Sequence, residues 1–177
     1  MIFTETKLKG SFIIELEKVE DERGFFARSW DKKIFEEHGL NSNLFQCNIS
    51  FNKKKGTLRG LHYQISPYEE AKLVRCTKGK VFEVMIDLRP KSETFMNWHG
   101  LELTSENYKM LYVPEGFALG LQTLEDNTEL FYQMSQIYMP DYSRGIRWDD
   151  AMFQIKWPLK PTIISKKDIS YMPFKKN

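Results

Sequence analysis

Along the chain, short runs of apolar or alternating residues recur, each cut off by a cluster of Gly, Pro, Asn or Asp. Runs of this length and spacing predict strands. They cover Ser11 to Leu16, Gln46 to Phe51, Lys72 to Thr77, Val81 to Leu88, His99 to Thr104, Lys109 to Val113, Leu130 to Tyr138 and Ile163 to Ser165. Helical periodicity is sustained only from Asp31 to Gly39, where Asp31 can cap the start and Gly39 can end it. The pattern as a whole predicts an all-β barrel or sandwich carrying little helix. No repeat, low-complexity tract or Pro/Ser-rich linker interrupts it, so residues 1–177 are read as one domain. The end of the chain, Lys175-Lys176-Asn177, reads as a solvated tail.

Composition narrows the setting. A chain of 177 residues is long enough for one real core. Its 26 basic and 24 acidic residues are interspersed and leave a net charge of only +2, which excludes the strong surface field expected of a nucleic-acid or membrane binder. Any anion binding must be local. The first residues, Met1 to Lys7, lack a charged-then-apolar signal pattern, and no apolar run approaches the roughly 20 residues that span a bilayer. A soluble, cytoplasmic protein is expected. Cys47 and Cys76 are too few for a disulfide framework and are read as buried small hydrophobes.

The densest chemistry lies in Leu58-Arg59-Gly60-Leu61-His62-Tyr63-Gln64, followed eight residues on by Lys72-Leu73-Val74-Arg75. His62 sits in a strand-like run, where its ring can face a barrel interior as an acid/base group or serve as a core histidine bonded to a carbonyl. Lys72 shares a strand face with Val74 and Cys76 by period-two alternation. An inward lysine is costly unless it meets an anion or a polarised oxygen; otherwise it is a surface residue. Tyr132 and Tyr138, six apart in one run, point the same way in a regular strand, as core aromatics or as a proton donor and a stacking platform. Arg23 and Arg59 are either anion ligands or solvated loop residues. Asp168, in Ser165-Lys166-Lys167-Asp168, can orient a histidine or cap a turn.

Other chemistries find no support. Only His38, His62 and His99 are available, without a His-x-His or His-Glu-x-x-His pattern, which argues against a metal-dependent oxygenase or hydrolase. There is no Gly-x-Gly-x-x-Gly, phosphate loop or Gly-x-Ser-x-Gly elbow.

Several segments occur in a telling order: Asp21-Glu22-Arg23-Gly24-Phe25-Phe26, Phe45-Gln46-Cys47-Asn48, Leu58 to Gln64, Lys72 to Arg75, Pro114-Glu115-Gly116-Phe117-Ala118, Tyr132, Trp148-Asp149-Asp150 and Ser165 to Asp168. In this order the chain resembles the dTDP-4-dehydrorhamnose 3,5-epimerase family, sugar-nucleotide enzymes with a cupin-type jelly-roll β-barrel and a few short helices. What the resemblance implies is inversion at C3, C5 or both of a nucleotide-linked 4-keto-6-deoxy sugar, through an enolate. His62, oriented by Asp168, would remove the proton, Lys72 would stabilise the enolate oxygen, and Tyr132 would return a proton on the opposite face. Such inversion needs an acid and a base on opposite sides and a positive group at the oxyanion. By the same resemblance Arg23 and Arg59 would hold the diphosphate, Gln46 and Asn48 would line the site with Phe26 and Lys167, and Tyr138 would stack on the base. No cofactor or metal is implied, since the substrate's ketone acidifies the neighbouring carbons. A homodimer is implied, with residues around Arg23 and Phe26 reaching the neighbouring subunit.

The chain departs from the family at two positions. Leu119 stands where the family usually has histidine, removing a polar contact near the sugar. Arg28 stands where it usually has glutamate, which changes the nucleotide edges that can be read. These departures leave open a single-carbon epimerase or keto-isomerase acting on another sugar nucleotide, and a barrel that binds without catalysis.

Overall fold

The computed structural model describes residues 1–175, so Lys176 and Asn177 of the expected tail lie outside the described residues. In chain order the strands are β1 (Ile2–Glu5), β2 (Phe12–Glu15), β3 (Val19–Asp21), β4 (Gly24–Phe26), β5 (Gln46–Asn52), β6 (Thr57–Gln64), β7 (Lys72–Lys78), β8 (Lys80–Asp87), β9 (Trp98–Thr104), β10 (Met110–Val113), β11 (Phe117–Thr123), β12 (Thr128–Met134), β13 (Ser143–Gly145) and β14 (Ile163–Ile164). Two short α-helices, α1 (Lys32–Glu37) and α2 (Lys166–Ile169), and a single 3-10 turn (Pro140–Tyr142) complete the regular structure among the described residues.

The first sheet runs β1-β2-β10-β7-β12-β5 and the second β13-β6-β11-β8-β9, with β14 added in parallel to β6. They form a jelly-roll barrel with apolar material in three layers. Between the sheets lie Leu8, Val74, Cys76, Val81, Met85, Leu103, Leu111 and Leu130. Outside the first sheet, Phe35 of α1 packs with Ile14, Leu73, Met110 and Tyr112. Outside the second, Ile146 and Phe153 pack on Leu61, Val84 and Ile86. Burial on both faces explains why Val81 to Leu88 reads as an almost unbroken apolar run: Val81 and Met85 face the interior while Val84 and Ile86 face the outer layer.

The short helix begins as expected. Asp31 accepts the Lys33 and Ile34 N–H groups, and Gly39 follows the helix at φ +68°.

Two expectations change. The strand predicted to reach Tyr138 ends at Met134, because Met134 pairs with Gln46 and Lys72, the first residues of both neighbouring strands, and no ladder remains beyond it. Period-two alternation therefore does not relate Tyr132 to Tyr138. Cys76 is buried, but Cys47 is exposed. It lies on β5, an edge strand that among the described residues pairs only with β12; the outward face of β5 also carries Ile49 (68% exposed) and Phe51.

Candidate active site

Strand β14 pairs Ile163 with Thr57 and Ile164 with Leu58, which brings the end of the chain beside the start of β6. Ser165 then caps α2, its hydroxyl accepting the Asp168 N–H at 3.0 Å. This one turn delivers Asp168 to the middle of β6. The carboxylate, 2% exposed, accepts a 2.6 Å hydrogen bond from His62 Nε2 and a 3.2 Å hydrogen bond from the Gly60 N–H. With the Nε2 proton held in this way, Nδ1 is left as the basic nitrogen. Burial acts to raise the Asp168 pKa, but the bonds from His62 and Gly60 outweigh it and hold the carboxyl below its ordinary value.

Arg59 and His62 are three residues apart, a spacing that points them to opposite faces of a regular strand. Gly60, at φ +102°, and a register shift between Leu119 and Leu121 of the facing strand turn both toward one cavity. The strands touch closely here: a Cβ on Gly60 would lie 2.8 Å from the Gly120 Cα.

The cavity, about 340 Å³, lies between the two sheets. His62 and Arg59 line it from β6, Lys72 from β7, Leu119 from β11 and Tyr132 from β12; Tyr138 and Lys167 line it from segments outside the sheets. The Lys72 ammonium is 2.7 Å from Glu70 Oε1, and both side chains are largely shielded from solvent. Burial pushes the Tyr132 phenol above its ordinary value against the opposing pull of Arg59, so it stays protonated at neutral pH. Arg59 Nε donates to Asn52 Oδ1 at 2.6 Å.

Other expected residues stand apart from the cavity wall. Gln46 Oε1 accepts the Tyr138 N–H at 2.9 Å and so acts on the cavity through Tyr138. Asn48 donates to Met134 Sδ at 3.5 Å. Arg23 and Phe26 belong to the exposed β3–β4 hairpin: Arg23 bonds Asp21 at 2.5 Å, and Phe26 is 71% exposed. Neither lines the cavity of its own chain. Arg28 bonds Asp31 at 2.7 Å beside the start of α1 and is likewise absent from the cavity wall, so its exchange for glutamate does not touch this chain's own pocket.

The sequence reading missed Glu70 and Glu83, which line the same cavity. A signal for Glu83 was present: period two within β8 sets it on the interior face with Val81 and Met85. Among the described residues no helix is long and apolar enough to cross a membrane.

A jelly-roll barrel of this topology, with titratable side chains from both sheets around one cavity, falls among the cupin-type epimerases, enzymes of the isomerase class. The chain belongs to the dTDP-4-dehydrorhamnose 3,5-epimerase family, whose model matches residues 5–176. It is 43% identical over 171 residues to the dTDP-4-dehydrorhamnose 3,5-epimerase of Shigella flexneri, covering 96% of this chain and 94% of that protein. Its fold is similar to the crystal structure of the enzyme of that name from Elizabethkingia anophelis NUHP1, with a TM-score of 0.95, 39% identity and coverage of 98% and 96% of the two chains. It is also similar to a dTDP-6-deoxy-D-glucose-3,5-epimerase from Legionella pneumophila Philadelphia 1 in complex with dTDP-4-keto-L-rhamnose. There the TM-score is 0.89 at 37% identity, covering 96% of this chain and 90% of the other.

Proposed function

We propose that the protein inverts C3 and C5 of a dTDP-linked 4-keto-6-deoxyhexose, through an enolate at each carbon in turn. The observation that carries this reading is that His62 and Tyr132 line one cavity from opposite sheets, with Lys72 between them in the chain and on the same cavity wall as Tyr132. His62 Nδ1 takes the proton from the carbon beside the ketone while Asp168 holds the imidazolium that forms. The electron pair moves to the C4 oxygen, where Lys72 meets the developing charge. Tyr132 returns a proton from the other side, and the ketone re-forms with inverted configuration. Arg59 and Lys167 hold the nucleotide diphosphate, Tyr138 stacks on the base, and Leu119 packs on the sugar.

The protein works as a cytoplasmic homodimer in this reading. A second copy would cover the apolar outer face of β5, with Phe45, Ile49 and Phe51 exposed on one chain. The β3–β4 hairpin would then extend Arg23 and Phe26 to the partner's cavity.

Proton NMR in deuterated water tests the reaction. The wild-type protein is expected to introduce deuterium at C3 and C5 of a dTDP-4-keto-6-deoxyhexose, and His62→Ala to introduce none while keeping its circular dichroism. Exchange at one carbon would make it a single-carbon epimerase shaped by Leu119. Absence of exchange with dTDP-, GDP- and CDP-linked donors would overturn the reading.

A further inference from the structure

Glu83 is the most deeply buried charged residue of the cavity wall, 1% exposed, and neither of its carboxyl oxygens has a hydrogen-bond partner among the described residues. A polar group left in this state is costly unless a ligand completes it. Its strand neighbours across the sheet are Leu101 and Leu121, and Val74, Leu119 and Leu130 share the cavity wall.

The titratable groups around it are few. From β7 and the residues before it come Lys72, Glu70 and the Cys76 thiol; from β12, Tyr132; from β6, His62 and Arg59. On β9 the histidine, His99, lies opposite Met85, further along the strand and nearer Lys7. Among the described residues Lys72 is the one cation whose charge acts on Glu83, and Glu70 already pairs with it at 2.7 Å. A second carboxylate here would add a net negative charge to an apolar wall.

We propose that Glu83 meets the substrate as a neutral carboxylic acid and donates a hydrogen bond to the C4 oxygen, a second oxyanion donor beside Lys72. The inference rests on the enolate chemistry proposed above and adds a catalytic residue to it. Burial pushes the Glu83 carboxyl up to about 8, only partly countered by Lys72, so the acid form predominates at neutral pH. A neutral acid in an apolar site is an established way to stabilise an enolate. It is also what this cavity requires, because the Lys72–Glu70 pair carries no net charge and its field at the oxyanion is correspondingly weak. The proton stays on Glu83 throughout and strengthens its hydrogen bond as charge builds on the C4 oxygen.

Two measurements on the whole protein test this. The first is infrared difference spectroscopy of the substrate-free wild type against Glu83→Gln. A protonated-carboxyl band is expected at pH 7, fading as pH rises past about 8, the carboxyl value reached by burial. A carboxylate band at pH 7 overturns the proposal, whatever the protein's substrate. The second is turnover of the dTDP-4-keto-6-deoxyhexose that the wild type accepts, as a function of pH. Glu83→Leu is expected to lower kcat about a hundredfold with dTDP binding unchanged, as for loss of one oxyanion donor. Glu83→Gln, which keeps a donor, should recover about tenfold of that loss. The alkaline fall in wild-type activity should be absent from the Gln variant. A Leu variant as active as wild type, or a Gln variant no better than Leu, overturns the donor role. A wild type inactive on every sugar nucleotide instead overturns the reaction proposed above, and the infrared result stands apart from it.

Discussion

Replacing Asp168 by Asn keeps the side chain's shape but removes the charge that holds the His62 Nε2 proton. The variant is expected to lose activity on the order of ten-thousandfold, as in other histidines deprived of an orienting carboxylate. Its stability should also respond to pH. Because the Asp168 carboxyl lies below its ordinary value, its contribution is present above the unfolded carboxylate range and is lost as pH falls through the lowered folded value. Urea denaturation should therefore show the largest gap between wild type and variant at neutral pH, closing as the solution is acidified below about pH 4; a gap unchanged across that range would remove the charge from the account. Single residues were legible in the sequence where alternation alone decided their direction. Lys72 is one such case, facing inward with Val74 as the strand period requires. The pairing of Asp168 with His62 was not legible, since 106 residues separate them and only the parallel docking of β14 brings them together. Glu83 was hidden for a different reason: one polar residue in an apolar run looks like an interruption until the facing cavity is known.

The strand carrying His62, the proposed base, departs from regular strand geometry. Gly60 has a left-handed φ of +102° and lies against Gly120, so Gly60→Ala adds a Cβ both to a strained conformation and 2.8 Å from backbone. A loss of about 2 kcal/mol or more in chemical denaturation is expected, with the His62–Asp168 contact disturbed and epimerase activity falling with it. Stability within about 0.5 kcal/mol of wild type would show that the two strands can part without strain. This local geometry explains a gap in the sequence reading. Phe117 to Thr123 contains Gly120 and showed no strand signal, yet it is β11, with the glycine serving as the point of close approach to β6. The overlong reading of β12 has the opposite origin: its composition favours a strand through Tyr138, but the neighbours that would pair with it stop at Gln46 and Lys72. Pairing partners, which no local window contains, set strand ends.

At the scale of the whole molecule, the homodimer proposed above, in which the β3–β4 hairpin serves the neighbouring subunit, makes a distinctive prediction. Arg23→Ala and His62→Ala should each be nearly inactive alone. Mixed in equal amounts and allowed to exchange subunits, they should recover about a quarter of wild-type activity, because half the dimers are hybrid and each hybrid has one of its two sites intact. Activity that stays at the level of the separate variants would confine Arg23 to its own chain. The barrel class was legible because jelly rolls are made of many short strands with turn signals between them; how two barrels meet depends on faces such as that of β5, whose apolar residues look in sequence like ordinary core. The order of β6 and α2 in the chain, with 106 residues between His62 and Asp168, has a consequence during synthesis. A nascent polypeptide can have every strand from β1 to β13 outside the ribosome, His62 included, and still lack the carboxylate that orients the imidazole. In the proposed reaction, proton abstraction is therefore withheld until α2 has followed all of those strands out, however early β6 has taken its place in the sheet.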